Sequence, residues 1–263
     1  MSGYLKFGVA LLLFGIGIRV VAQPNTAALS FNGVSDYVAL TTSPATDLLN
    51  GYTIEAWAYP SPPTTYTTGA RRIISNDQQN PARGFGLGMT SSTISGVSQT
   101  RWRFTTFGVK DYDTTAVSAA LNTWSHVAMT FDTSNTVTFY VNGAFGQSIP
   151  FATDARISTA PMNIGRNPVG TTGTEFWPGM IDEIRFWNYV RTQPQIQADM
   201  NRQLAGNEPG LIGYWPLNEA AGIFTEDKSV NSADGTLSGA TWTSGPLIYG
   251  PLTAVREDWS LFQ

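Results

Sequence analysis

Between Trp124 and Ile149 the apolar and polar positions alternate with a period of two. Val127, Met129 and Phe131 stand on one parity with Ala128 and Thr130 on the other, and Val137, Phe139 and Val141 alternate with Thr138 and Tyr140. That is the period of a pleated strand. Asn142-Gly143 supplies the two positive-φ residues of a tight hairpin turn, which predicts a returning strand over residues 145–149. After Asn188 the period changes: Ile196, Met200 and Leu204 recur every four residues and Gly206 ends the run. Thr192-Gln-Pro-Gln195 ahead of them has the form of a capping box, with proline tolerated in the first turn. The prediction is one short amphipathic helix over residues 192–205, laid as a structural cover on the outside of a sheet.

Composition fits a sandwich of short strands. Only 13% of residues are charged, against about 25% in an average domain, while glycine (26), proline (15) and aromatics (12%) are plentiful. Residues 1–22 carry one early lysine, Lys6, an apolar run over residues 7–18 and a small-residue Val20-Val-Ala22 end. They are expected to be a secretory signal peptide, since that run falls short of the ~20 residues a membrane span needs. The chain is therefore expected to be secreted, with no membrane insertion after signal cleavage. It has no cysteine, so a fold outside the cell must rest on its core. Without Lys6 and Arg19 the balance is 15 − 2 = 13 basic against 19 acidic residues, a net of −6. Nucleic acid is thereby excluded as an expected partner, because phosphate neutralisation needs a basic face and the longest basic run is Arg71-Arg72.

Trp124-Ser-His126-Val-Ala-Met-Thr-Phe-Asp132 with the hairpin Phe139-Tyr-Val-Asn-Gly143 resembles the core motif of laminin-G-like jelly rolls, in the concanavalin A-like lectin and glucanase superfamily. Ala28-Leu-Ser-Phe-Asn-Gly-Val-Ser-Asp-Tyr-Val38 resembles that family's opening strand pair. Tyr52-Thr-Ile-Glu-Ala-Trp57 is similar to its next strand, and Gly179-Met-Ile-Asp-Glu-Ile-Arg-Phe-Trp-Asn188 to its closing strand. The resemblance covers residues 27–205 and implies an all-β fold, an antiparallel two-sheet β-sandwich (jelly roll) with one short peripheral helix. Residues 210–243 resemble the lead-in that commonly precedes the first strand in this family, yet they follow the last one. They are expected to complete a single domain over residues 23–243, the rival being a truncated second repeat, with a tail over 244–263.

Catalytic groupings are scarce. The single histidine, His126, lies inside a strand motif and is expected to be structural; thiol nucleophiles, zinc motifs and phosphate loops are missing from the sequence. The family's glucanases space alternate acids along one strand so that they share a cleft. Asp182 and Glu183 are adjacent and are expected to face opposite ways, and Glu55 has no acid two residues away. Calcium is the expected cofactor, because hard cations want several oxygens at once. By resemblance to metal-binding jelly rolls, Asp36 and Asp182 would donate side chains and Asn32 a carbonyl oxygen; the alternative is that Asn32 and Asp36 only make the turn. The segment 166–175 has one acid, so the pentraxin type of ligand site is not supported, and Asp227, Asn231 and Asp234 read as ordinary turn chemistry.

Three long polar loops, residues 61–72, 108–115 and 167–177, are the expected ligand contacts. Sugar rings stack on aromatic faces while carboxylates and amides bond their hydroxyls. The candidate residues are Tyr66, Tyr112 between Asp111 and Asp113, Asn167, and Trp177; aromatics at loop ends also serve as packing plugs. The expected function is a secreted, non-catalytic module that binds carbohydrate or a cell-surface glycoconjugate, with adhesion as its setting. The rivals are a glycoside hydrolase of the same fold and a structural spacer, and oligomeric state is left open.

Overall fold

A computed structural model describes residues 17–21, 24–44, 48, 50–62, 69–79, 82–94, 97–150, 158, 160–169, 175–249 and 253–257. Two antiparallel sheets of eight strands each pack face to face. In the first, the strands lie side by side in the order Ala144–Pro150, Thr136–Val141, Ser125–Phe131, Tyr52–Pro60, Pro178–Trp187, Pro24–Asn32 and Thr241–Tyr249, with Leu211–Trp215 as the eighth. In the second, which we call the open sheet, the order is Lys110–Ser118, Val97–Thr106, Phe85–Ile94, Ala70–Ser75, Asn163–Ile164, Tyr37–Leu40, Gly235–Ser238 and Phe224–Thr225.

The alternating apolar parity meets between the sheets. Tyr52 stacks on Phe131 with ring centroids 5.4 Å apart, and Phe85, Phe104 and Phe186 close around them. The predicted hairpin is present, with Asn142 at φ 50° and Gly143 at φ 73°, and the returning strand is Ala144–Pro150.

The closing strand Pro178–Trp187 pairs with two different partners along one edge. Its first half pairs with Pro24–Asn32 and its second with Leu211–Trp215, Ile184 lying opposite Trp215. The changeover is a bulge: against Tyr52–Pro60 the register slips between Asp182 and Arg185, and Glu183 sits at φ 51°. Farther along, Gly235–Ser238 pairs with Tyr37–Leu40, and Thr241–Tyr249 pairs with Pro24–Asn32 and runs past Thr243. Gly17–Val21 and Thr253–Glu257 pair as a separate two-stranded sheet.

The helix covers the first sheet's outer face but is shorter than residues 192–205. It spans Gln193–Asp199, and the Thr192 amide donates to Gln195 Oε1 at 2.8 Å. Its stop has a cause in the sheet beneath it. Arg185 donates to the carbonyls of Asp199 (2.8 Å) and Arg202 (2.6 Å), and the Trp57 indole takes the carbonyl of Met200 (2.7 Å). Carbonyls that another turn would engage are thus held by side chains from below. Of the predicted stripe Ile196 is buried on the helix, Met200 is half-buried at its end, and Leu204 lies beyond the helix, buried in a cluster with Trp187, Leu211 and Tyr214.

Candidate functional site

The two outer faces differ in what lies over them. On the first sheet the parity opposite the core includes Glu55, His126 and Arg185, all fully buried beneath the helix segment. Arg191 donates to Glu55 at 2.6 Å and also pairs with Asp199; Arg185 bonds Glu183 at 2.8 Å and lies 3.9 Å from Glu55; the Tyr214 hydroxyl reaches Glu183 at 3.0 Å. Burial pushes Glu55 up, but His126, Arg191 and Arg185 outweigh it and hold the carboxyl at about 2. Burial lowers His126, whose Nε2 lies 3.4 Å from Glu55. This is a docking cluster for the helix, closed to solvent. The expectation that Asp182 and Glu183 face opposite ways fails here, because the bulge swings Glu183 onto the face that carries Arg185.

On the open sheet, strand alternation sends Trp102 and Phe104 inward and Arg103 and Thr105 outward; opposite them Tyr112 goes inward and Asp111 and Asp113 outward. Arg103 sits across from Asp113 in register, and Asp111 across from Thr105. Arg103 grips Asp113 with Nε (2.6 Å) and Nη2 (2.7 Å) and Asp111 with Nη1 (2.8 Å), while the Thr105 hydroxyl donates to Asp111 at 2.6 Å. The aspartate side chains remain 44% and 30% exposed, so they are positioned and still reachable. Burial works against the Arg103 charge, yet Asp113 and Asp111 raise its pKa.

The arrangement continues toward the sheet's middle. Arg72 lies over Gly86, where a Cβ would come within 3.0 Å of its side chain, and it donates to Thr105 (2.8 Å) and to both oxygens of Glu175 (2.7 and 3.2 Å). Half-exposed Phe107 has the Arg72 guanidinium 5.1 Å from its ring centre. Asn167 donates to Asp77 at 2.9 Å, and Asp77 is raised by burial and also by Glu175.

Three of the predicted ligand residues, Asp111, Asp113 and Asn167, therefore share this face. Tyr112 does not: its ring is fully buried, 6.0 Å from Phe104, because it has the core parity of its strand. Trp177 is likewise a core residue, fully buried with its indole donating to the Met180 carbonyl at 3.3 Å. Tyr66 lies outside the described residues. Sequence reading missed Arg72, Arg103, Glu175 and Phe107. The Arg101-x-Arg103-x-Thr105 parity facing Asp111-x-Asp113 was the signal for Arg103.

The metal trio does not converge. The Asn32 amide donates to Asp36 Oδ2 (2.9 Å), and Asn32 Oδ1 accepts from the amides of Val34 (2.8 Å) and Ser35 (2.9 Å), so both side chains close their own turn. Pro178, not Asp182, pairs with Asn32; Asp182 stands four residues farther along, roughly 13 Å at the rise of a strand. Asp182 is buried, and burial and the Glu183 charge push its carboxyl well up, the state least suited to a cation. In the later loop Asp227 accepts from the amides of Tyr214, Ser229 and Ala233, which makes it a turn former. Among the described residues no cluster of three or more His, Cys, Asp or Glu is placed to hold a metal ion.

The double-sheet fold and its motifs define the class. The chain matches the laminin-G type 3 family model, described as the concanavalin A-like lectin/glucanases superfamily, over residues 32–197, and it belongs to that family. Among solved structures it is similar to a candidate carbohydrate binding protein from Bacteroides ovatus, with 21% identity and a TM-score of 0.65 over 86% of this chain and 62% of that one. The chain thus spans less than two thirds of that protein. It is also similar to the heptameric SAP-like pentraxin of Limulus polyphemus (15% identity, TM-score 0.52, 66% of this chain and 81% of that one). The CBM40 of a Ruminococcus gnavus IT-sialidase aligns more loosely (14%, TM-score 0.45, 64% and 95%). No curated protein matches the chain.

Proposed function

We propose that the chain is an exported, non-catalytic module that binds carbohydrate on the outer face of the open sheet. The observation that carries this is the Arg103 clamp. One guanidinium holds two partly exposed carboxylates, so acceptors for neighbouring sugar hydroxyls are in place before the ligand arrives and little ordering entropy is lost on binding. Arg72 and Glu175 extend the array, and Phe107 adds apolar surface for the C–H face of a ring. The Bacteroides ovatus neighbour, described as a candidate for carbohydrate binding, supports the same reading. Calcium has no part in this proposal, since Arg103 does for Asp111 and Asp113 what a cation would otherwise do.

The second reading is a glycoside hydrolase, which needs two carboxylates about 5 to 9.5 Å apart across an open cleft. Glu55 and Glu183, both beside Arg185, are fully buried beneath the helix segment, and Asp111 and Asp113 on the open face are both tied to the Arg103 guanidinium. The test is a polysaccharide and glycan array read for retention and for released product, with Arg103→Gln and Asp113→Ala alongside. Retention without product, lost in both variants, is expected. Product release would replace the module by an enzyme, and no retention at all would leave a spacer.

A further inference from the structure

On the side away from the Arg103 clamp the open sheet ends in Phe224–Thr225 and the first sheet in Thr241–Tyr249. The Trp242 indole joins these two edges, donating to the Gly222 carbonyl at 2.9 Å. Ala220 to Phe224 are exposed in an unbroken row with no polar side chain among them, Ile223 at 60% and Phe224 at 62%. Ordinary surfaces scatter apolar residues singly, and a run of them marks a surface that something covers.

Strand alternation accounts for their position. Thr225 is buried toward the core and Phe224, opposite Thr236, faces out, which gives Ile223 the core parity. Its carbonyl accepts from the Leu237 amide at 2.8 Å. Leu237 and Trp242 are half-buried and pack on the main core, so the apolar interior runs past them and ends at Ile223 in water. The opposite side of the sandwich is sealed, because Gln147 Oε1 on the last strand of the first sheet accepts from the amides of Thr115 (2.6 Å) and Ala116 (3.0 Å) on the last strand of the open sheet. The lysine, proline or inward charge that keeps edge strands apart is missing from residues 220–225.

Charge says what covers this side. With 15 basic and 19 acidic residues the chain has a net charge of −4, so two copies repel over most of their surfaces. Residues 220–225 and 235–249 carry no charge. Of the acids beside them, Glu226 pairs with Lys228, and Glu219 accepts from the Thr225 hydroxyl and the Glu226 amide. A charged partner finds nothing to pair with here, whereas a second copy finds nothing to repel it. An antiparallel edge is also self-complementary about a two-fold axis. We propose that this side is a dimer interface, in which Phe224–Thr225 runs antiparallel to the same strand of a second copy and Ile223, Phe224 and Trp242 of each copy close the open side of the other. The Arg103 clamp lies at the far edge of the open sheet, so pairing leaves it free.

Sedimentation velocity of the chain as exported, over a dilution series, is the experiment. The expected species is a dimer that dissociates on dilution, with slower hydrogen exchange over residues 223–225 in the concentrated sample than in the dilute one. Phe224→Glu sets a charge on both sides of the two-fold axis and should weaken the dimer at least roughly tenfold. The melting temperature of the monomer should hold, since that side chain is exposed. Phe145→Glu, at an exposed residue on the sealed side, should leave the dimer intact. If Phe224→Glu fails to fold, the exchange comparison on the unaltered chain still decides. A chain that is monomeric throughout would overturn the proposal, as would a dimer that Phe224→Glu leaves unchanged, or exchange over residues 223–225 that ignores concentration.

Discussion

Individual side chains in this protein are assigned by strand parity before anything else. Tyr112 looks like a sugar platform because aspartates flank it, but the alternation that sends Asp111 and Asp113 to the surface sends Tyr112 into the core. Trp177 fails for a similar reason: a large aromatic next to a strand start is worth more buried than exposed. Asp36 shows how a plausible metal ligand becomes a turn former. Its carboxylate accepts from the Asn32 amide and the Ser35 hydroxyl, at 2.9 and 3.3 Å. Asp36→Ala should therefore cost about 1–3 kcal/mol through the lost turn. The melting temperature should fall by the same amount in chelator and in millimolar calcium. A drop seen only with calcium present would restore Asp36 as a ligand.

At the scale of elements, the strands were readable because period-two alternation and the Asn142-Gly143 turn act locally, while the helix was readable only in part. Its start follows from residues 192–195, but its end is set by Arg185 and Trp57, which donate to the carbonyls of Asp199, Met200 and Arg202. The cluster beneath it was invisible for the same reason, since a bulge at Glu183 gathers it. That cluster makes helix docking sensitive to acid. Glu55 is held at about 2 in the fold against the ordinary carboxylate range near 4.3, so its contribution is present above that range and fades as pH falls toward about 2. His126 is lowered by burial, so below its ordinary range near 6.5 the unfolded chain binds the proton more readily and stability falls there too. Both act in one direction. The melting temperature should decline from pH 7 to pH 4, and His126→Gln should flatten the upper part of that decline. Glu55→Gln removes a buried partner of Arg191 and should cost about 3–5 kcal/mol at neutral pH, measured by denaturant melting. A pH-independent melt from 7 to 4 would show that neither group titrates with folding.

For the whole molecule, the question is what the segment after the helix contributes to the sandwich. Leu211–Trp215 completes the edge that the closing strand leaves open after its bulge, and Gly235–Ser238 extends the open sheet beside Tyr37–Leu40. Thr241–Tyr249 covers the far side of the opening strand Pro24–Asn32. Each sheet thus takes strands from both ends of the chain, and the cover of its core does too. Trp215 and Leu217 are fully buried in the main core, and the Trp215 indole donates to the Ala233 carbonyl at 2.9 Å. Deleting everything after Gly206 should strip the opening strand of one neighbour, leave the Tyr37–Leu40 strand as an edge, and expose the surface that Trp215 and Leu217 cover. Losing those side chains, at roughly 1.5–3 kcal/mol each, together with the strand pairing, removes an amount comparable with the whole stability of a domain. The truncated chain should aggregate or lose its cooperative melt, which size-exclusion chromatography and circular dichroism will register. A truncated chain that stays monomeric with an unchanged melting temperature would mean that the first 206 residues close their own core, and that these later strands are an appendage laid on a finished sandwich.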